Sequence, residues 1–401
     1  MKKSIAILLG IMALSFASCD NNDEEMLMEQ ESTEMTIASE AYISGEVVGF
    51  DNFGMMMPSF TPQDMFDAGF EYSDLLNVKI GNQIVLNDVP FVTGFNEVGV
   101  LETCLCDYNG LGQTFGLALL HGNFQERIGG KPGEVIQISL SKKHGYNETW
   151  QIMKSVYSSD RMQYPSDEAF ANFRPVTTSG MKSGVLYRSS NPLNPKDNAV
   201  RYAYVDDLAR QAGIQTEIDL ADTEAKIDNF LSYPDYASSY CPSLYKNGKV
   251  IALGLTSDTY SSTFMNKLGE GLRFMLQNQP PYLIHCNEGK DRCGFVIMLL
   301  ESLAGATYNE VAADYMQTLI NFYKIEKGGA SYQLRQGLSV DRLVWLLENV
   351  SAVNDFTAIN WLYNDPKSVD LQKAARKYIM QCGLTETECD QLQALLNGGN
   401  L

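Results

Sequence analysis

Residues 282–303 restrict the fold more than any other stretch of the chain. Tyr282-Leu283-Ile284 reads as a short buried strand. The loop His285-Cys286-Asn287-Glu288-Gly289-Lys290-Asp291-Arg292-Cys293 follows, and the apolar run over 294–303 reads as a buried helix. Strand, loop and buried helix in that order belong to an α/β architecture. The loop also carries a chemical logic. Cys286 and Arg292 are separated by five residues, a spacing that lets a loop wrap one anion. Backbone N–H groups then converge on the anion with a helix N-terminus behind it. Gly289 permits an approach that a Cβ would obstruct. The same positive field favours a Cys286 thiolate, which is the nucleophilic form. Arg292 can donate two parallel hydrogen bonds to phosphate oxygens and does not titrate away. Asn287, Glu288, Gly289, Lys290, Asp291 and Arg292 are thus the candidate phosphate-binding set. A buried structural cysteine near a chance arginine is the bland alternative; the strand before, the helix after, the preceding histidine and the internal glycine favour the chemical one.

The flanking sequence is built the same way. A helix is expected over 197–213, where Val200, Tyr204, Leu208 and Ala212 recur at four-residue spacing and Gly213 ends the pattern. Strands are expected over 214–220 and 250–255, and a helix over 261–277 with Phe264, Leu268, Leu272 and Met275 on one stripe. Beyond Tyr308 the chain reads as nearly all helical to Leu396. No internal repeat is visible.

The form His-Cys-x-x-Gly-Lys-Asp-Arg resembles the loop of the cysteine-dependent phosphatase superfamily. Within it, the loop is similar to the tyrosine phosphatase group that includes secreted bacterial enzymes acting on phosphotyrosine and phosphoinositides. Asn172-Phe173-Arg174 and Leu186-Tyr187-Arg188-Ser189 resemble that family's N-terminal pair of motifs. Residues 213–220 resemble its central strand, and Ala312-Ala313-Asp314-Tyr315-Met316 its helix after the active site. The resemblance implies a central sheet flanked by helices and phosphate-monoester hydrolysis through a phosphocysteine on Cys286, with no metal and no cofactor. Three positions depart from the pattern. Cys293 replaces the usual Ser or Thr after the arginine, and a Cys286–Cys293 disulfide is one consequence it would allow. Ala221 stands where an Arg is usual, and Pro175 where an Asp is usual.

Phosphoryl transfer needs a proton for the leaving oxygen. No Trp-Pro-Asp motif exists, because the three tryptophans are Trp150, Trp345 and Trp361. Asp291 in the loop is the first candidate acid and Asp219 at a strand end the second, with Asp222 and Asp258 remaining open; for Asp219 and Asp222 a loop position or helix N-cap is the commoner role. His285 is expected to support the loop, and Lys290 to contact a second phosphate. His121 and His144 are isolated and show no metal-ligand spacing. Cys104 and Cys106 read as core, Cys382 and Cys389 as a pair left open, and Met55, Met56 and Met57 as packing or an adaptable surface.

Residues 39–142 differ in texture. Short β-rich runs over 41–48, 76–80, 83–86, 99–105 and 135–140, broken by Gly, Asn, Asp and Pro, predict a small all-β domain before the α/β region. Gly45-Glu46-Val47-Val48-Gly49-Phe50-Asp51-Asn52-Phe53-Gly54, with Gly99-Val100-Leu101-Glu102 and His121-Gly122-Asn123-Phe124, resembles the C-terminal β-domain of the SAM hydroxide adenosyltransferase family. Only the fold idea is carried over. The expected role is to hold the catalytic region off a membrane or to present substrate, with Asp51, Asn52, Phe53 and Gly54 outside the catalytic site.

The N-terminus reads as a lipoprotein leader. Lys2 and Lys3 precede an apolar run over 5–16, too short for a comfortable membrane span, and Ala17-Ser18 lead into Cys19 as the lipidation site. An ordinary secretory leader with an incidental Cys19 is the alternative. The acidic stretch Asp20-Asn21-Asn22-Asp23-Glu24-Glu25 resembles surface-export signals of some bacterial lipoproteins, and a plain spacer explains it equally. The resulting division is leader 1–18, acidic tether 19–38, all-β accessory domain 39–142 and phosphatase domain 160–401 with a helical C-terminal region. The expected location is the cell envelope, tethered to membrane by lipid at Cys19 and exposed at an outer-membrane surface. Thirty Lys and Arg against 49 Asp and Glu give a net charge of -19. That balance argues against nucleic acid as a partner and against highly charged anions such as inositol polyphosphates. A phosphotyrosine protein or a phosphoinositide is the expected substrate. An inositol-polyphosphate phosphatase and a phosphate-binding pseudophosphatase are the competing readings.

Overall fold

Alternation of apolar and polar residues sets the first half of the chain. A computed structural model describes residues 41–154, 158–196, 201–351 and 365–399. The leader, Cys19 and the acidic tether lie outside the described residues, as do residues 197–200 of the helix expected over 197–213. In β3 (Leu75–Ile80), Leu76, Val78 and Ile80 are buried while Lys79 is exposed. In β7 (Val135–Lys142), Ile136 and Ile138 are buried and Val135 faces out. Period-two burial of this kind places one face of each strand in a core. With β1 (Tyr42–Phe50), β2 (Met56–Pro58), β4 (Ile84–Val92), β5 (Thr103–Asp107) and β6 (Phe115–Leu119), these strands close into a barrel of order β1-β2-β6-β5-β4-β3-β7. Pairing is antiparallel except between β4 and β5. Two strands escape the sequence reading. β6 is buried at every position and so shows no alternation. β2 is three residues long and contains part of the methionine cluster; Met56 is wholly buried. Gly116 lets them meet, since a Cβ there would lie 2.2 Å from the Met56 carbonyl oxygen.

The second half is an α/β sheet of order β11-β10-β12-β9-β8. Its strands are β8 (Arg174–Pro175), β9 (Leu186–Ser189), β10 (Thr216–Asp219), β11 (Val250–Ala252) and β12 (Tyr282–His285). β9 to β12 run parallel, and β8 is an antiparallel edge. Pro175 is tolerated there because an edge strand can spare an N–H. The central strand β12 feeds the helix Asp291–Ala304, which is buried along nearly its whole length. Helices Ser262–Gln277, Tyr308–Tyr323, Val340–Glu348, Leu371–Gln381 and Glu386–Leu396 complete the helical layers. Among the described residues, no helix is long and apolar enough to cross a membrane.

The barrel is not set apart from the α/β region. Glu40–Leu401 is one compact unit. A single apolar core contains Leu101, Leu119 and Phe124 of the barrel half together with Tyr260, Phe264, Phe295 and Leu343. Polar clamps reinforce the join. Arg127 Nε and Nη2 each donate at 3.0 Å to the Asp258 carboxylate. Arg342 Nη2 reaches Glu102 Oε1 at 2.7 Å, and the Val100 N–H donates to the Leu338 carbonyl at 2.8 Å. Arg335, 2% exposed, bonds the Asn96 and Met153 carbonyls.

Candidate active site

The loop after β12 is shaped by what holds its carbonyl groups. Asn191 N–H donates to Asn287 O at 3.1 Å. Asn172 Nδ2 donates to Glu288 O at 3.1 Å and to Gly289 O at 3.4 Å, and Arg188 Nη2 donates to Gly289 O at 2.8 Å. In a planar trans peptide the N–H points opposite to the C=O. Three carbonyls anchored to the scaffold therefore turn the N–H groups of Glu288, Gly289 and Lys290 to the side away from those partners. Gly289 has φ +70°, and a Cβ there would lie 2.4 Å from the Ser189 carbonyl oxygen. The expected need for glycine at this position is thus met twice, by conformation and by space.

The motifs noted at a distance from the loop converge behind it. Asn172 ends the helix Asp167–Ala171 in the left-handed conformation, φ 50°, which asparagine tolerates. Arg174 Nη1 donates to Asn172 Oδ1 at 2.7 Å, and Arg174 Nε to Asp314 Oδ1 at 2.9 Å. Arg188 Nη1 pairs with Asp314 Oδ2. Asp314 thereby orients two arginines that steady the loop. Its carboxyl lies below the usual range: burial opposes its charge, and Arg174 and Arg188 outweigh burial.

Cys286 is 3% exposed and lines a cavity of about 460 Å³. Arg292, in the first turn of the helix, also lines it, with Nη1 donating to the Leu255 carbonyl at 2.8 Å. Asn287, Glu288, Lys290 and Asp291 complete the loop side. Lys290 Nζ lies 3.3 Å from Asp291 Oδ2 and 3.7 Å from Glu288 Oε2, and 5.5 Å from the centre of the Tyr323 ring. Burial works against the Lys290 charge, and Asp291, Tyr323 and Glu288 overcome it, so its pKa is raised. Burial likewise opposes the Asp291 charge, but Lys290 and then His121 hold that carboxyl well below its ordinary value.

Several expectations are revised by position. Asp219 is fully buried beneath the loop and does not reach the cavity wall. Its Oδ1 accepts from the Ala221 and Asp222 N–H groups, and burial followed by Asp222 raises its pKa. Asp222 accepts from Asn191 Nδ2 at 2.7 Å, and Asp258 is taken by Arg127. Of the four acids considered, Asp291 alone lines the cavity. His285 is buried and neutral, its pKa pushed down to about 3 by burial. Neither of its ring nitrogens has a hydrogen-bond partner among the described residues, so the expected hydrogen-bond support from His285 is absent. Cys293 Sγ lies 3.4 Å from the Ile284 carbonyl oxygen, and burial pushes its thiol up to about 12. Cys286 and Cys293 are both free thiols here.

The opposite wall was missed by sequence reasoning. It comes from the barrel: Asp51, Phe53, Met55, Phe95, Tyr108, Leu119, Leu120 and His121 line the same cavity as Cys286. Phe95 and Tyr108 stack at 5.3 Å. Two segments that resemble the adenosyltransferase β-domain meet here, since a Cβ on Gly54 would lie 1.8 Å from Asn123 Oδ1. The reading of this segment as outside the catalytic site is therefore corrected for Asp51 and Phe53, while Asn52 and Gly54 do not line the cavity.

A cysteine and an arginine presented by one anion-sized loop, between a central parallel strand and a buried helix, define a cysteine-dependent phosphatase. The chain belongs to the tyrosine phosphatase family, whose model matches residues 168–397. It is also similar to the core catalytic domain of the PP-IP phosphatase SIW14 from S. cerevisiae, solved in complex with citrate. That likeness is 18% in identity, covers 49% of this chain and 98% of that chain, and has a TM-score of 0.26. A comparison with curated proteins finds no match.

Proposed function

We propose that the chain hydrolyses phosphate monoesters through a phosphocysteine on Cys286, with phosphotyrosine as the favoured substrate class. The observation that carries the substrate reading is the cavity, which joins one anion cradle to an apolar and aromatic wall formed by Phe53, Phe95 and Tyr108. Cys286 Sγ attacks phosphorus as the ester P–O bond breaks, and the leaving oxygen takes a proton from Asp291. Water then attacks phosphorus, the S–P bond breaks, and Asp291 accepts the proton. Lys290 and His121 favour the charged form of Asp291; a bound phosphate dianion beside it opposes that charge and raises its pKa toward the acid form. Arg292 and the loop N–H groups hold the equatorial oxygens as charge redistributes.

The same cavity counts against a polyphosphate. Among its described lining residues the permanent cations are Lys290 and Arg292, while Asp51, Glu288 and Asp291 are carboxylates. Arg188 is buried against Asp314 and does not line the cavity. Several phosphates on one ring would face more negative than positive charge. Cys286 and Arg292 in one cavity favour turnover over phosphate binding alone. Lipidation at Cys19 would put this activity at the cell envelope, a reading that rests on the leader sequence.

The test is a comparison of kcat/KM for a phosphotyrosine peptide and for inositol hexakisphosphate. The peptide is expected to be the better substrate by about tenfold or more, since each unmatched buried charge costs more than 1.4 kcal/mol. A higher value on the inositol compound would overturn the substrate assignment.

A further inference from the structure

His121 stands two residues past β6, in the barrel half of the chain, and its ring reaches the phosphatase loop. Its Nε2 lies 3.5 Å from Asp291 Oδ1, with the side chain 1% exposed. Nδ1 is buried and has no hydrogen-bond partner among the described residues, so the ring's polar contact runs through Nε2. The backbone of His121 is in the left-handed region, φ +56°, which histidine, like asparagine, adopts more readily than most non-glycine residues. Lys290 Nζ holds the other carboxylate oxygen, Oδ2, at 3.3 Å. The two oxygens of Asp291, which lines the same cavity as Cys286, are thus held from two different parts of the fold.

We propose that His121 is a positioning residue for Asp291, so that the barrel completes the proton-transfer apparatus of the phosphatase loop. The inference rests on the phosphomonoesterase reading above. Its physical content is orientation. A carboxyl group must present one oxygen to the leaving group within hydrogen-bond reach, and a small misplacement costs rate. Lys290 alone fixes one end of the group, and the Nε2 contact fixes the other. The remaining groups facing this pair are Tyr315 and Tyr323 from the helix Tyr308–Tyr323, Glu288 through Lys290, and Cys286 across the cavity.

The experiment is a double-mutant cycle on the full chain, with His121→Asn, Asp291→Asn and both together. Asparagine is chosen because it tolerates a positive φ. Rates are measured on phenyl phosphate, whose leaving oxygen needs a proton, and on p-nitrophenyl phosphate, whose leaving oxygen needs little. His121→Asn is expected to lower kcat by about tenfold or more on phenyl phosphate and by less than about threefold on p-nitrophenyl phosphate. The limb of the kcat pH profile assigned to Asp291 in the substrate complex is expected to move to higher pH, because its charged form loses a stabilising partner. The double variant is expected to be no slower than Asp291→Asn alone. Multiplicative losses in the double variant, or equal losses on both substrates with an unmoved limb, would overturn the proposal. Thermal unfolding is followed in parallel; if His121→Asn is unfolded, His121→Gln supplies the same readouts. A wild-type chain inactive on p-nitrophenyl phosphate would instead count against the phosphatase reading itself.

Discussion

Arg188 Nη2 donates to the carbonyl oxygen of Gly289 at 2.8 Å, from a side chain with no exposed surface. This contact links the Leu-Tyr-Arg-Ser segment of β9 to the loop that carries Cys286, and Asp314 orients the arginine from the far side. A fully buried arginine survives because its charge is paired with Asp314 through Nη1 and Nη2 is bonded to the Gly289 carbonyl, although Nε has no hydrogen-bond partner among the described residues. The contact gives the motif a mechanical role: it fixes the carbonyl on the scaffold side so that the next N–H points to the opposite side.

Replacing Arg188 with Met should therefore loosen the loop as well as break a buried pair. Removing one partner of a buried pair costs about 3–5 kcal/mol, softened here because Arg174 still meets Asp314. Thermal unfolding should move to lower temperature, and phosphate binding by calorimetry should weaken at temperatures where the variant is folded. Unchanged phosphate affinity in a folded variant would mean that the loop holds its shape without Arg188.

Gly289→Ala isolates geometry from charge. The new Cβ would lie 2.4 Å from the Ser189 carbonyl oxygen and 2.8 Å from Asn172 Nδ2, at φ +70°. The loop must shift and Asn172 must release its carbonyls. A misplacement of about 1 Å can cost on the order of a hundredfold in rate, and kcat/KM on p-nitrophenyl phosphate should fall by about that much. A value within threefold of wild type, roughly the scatter of a tolerated surface change, would show that the loop relaxes freely.

These two positions also mark how far the sequence could be read. The loop, the central strand and its buried helix were legible because local periodicity and one compact motif coincide in residues 282–303. The remote motifs at Asn172, Arg188 and Asp314 were recognisable by resemblance, but their convergence on Glu288 and Gly289 is a property of the folded chain. β3 and β7 announced themselves by alternation, whereas β6, buried on both faces, had no period to detect. The barrel's share of the cavity was invisible for a related reason. Phe53, Phe95, Tyr108 and His121 are scattered over almost seventy positions and carry no common spacing. Asp219 misled because its place at a strand end resembled a catalytic position, and only burial separates it from Asp291.

Glu217 offers a test of the sheet beneath the site. It lies on β10, fully buried, and burial pushes its carboxyl up to about 8 against the opposing pull of the Cys241 thiol. An ordinary glutamate titrates near 4.5. Between these values the folded chain retains a proton that the unfolded chain has lost, so stability falls as pH rises through that window. The slope from one such group approaches about 1.4 kcal/mol per pH unit. Glu217→Gln should remove that contribution, leaving the variant relatively more stable than wild type at about pH 8 than at about pH 5. Chemical denaturation at both pH values measures this; an identical pH slope in the two proteins would mean Glu217 is ionised in the fold.

The nucleophile is tested most directly by Cys286→Ser, with turnover of p-nitrophenyl phosphate and binding of inorganic phosphate measured on the same full-length preparation. The anion cradle is largely backbone, with Arg292 beside it, so phosphate binding should survive the exchange of sulfur for oxygen. Turnover should fall to background, because a serine hydroxyl in this cavity lacks the acidity that makes a thiol a thiolate. Retained phosphate binding with no turnover is the expected result; turnover by Cys286→Ser at a rate near wild type would contradict a phosphocysteine mechanism.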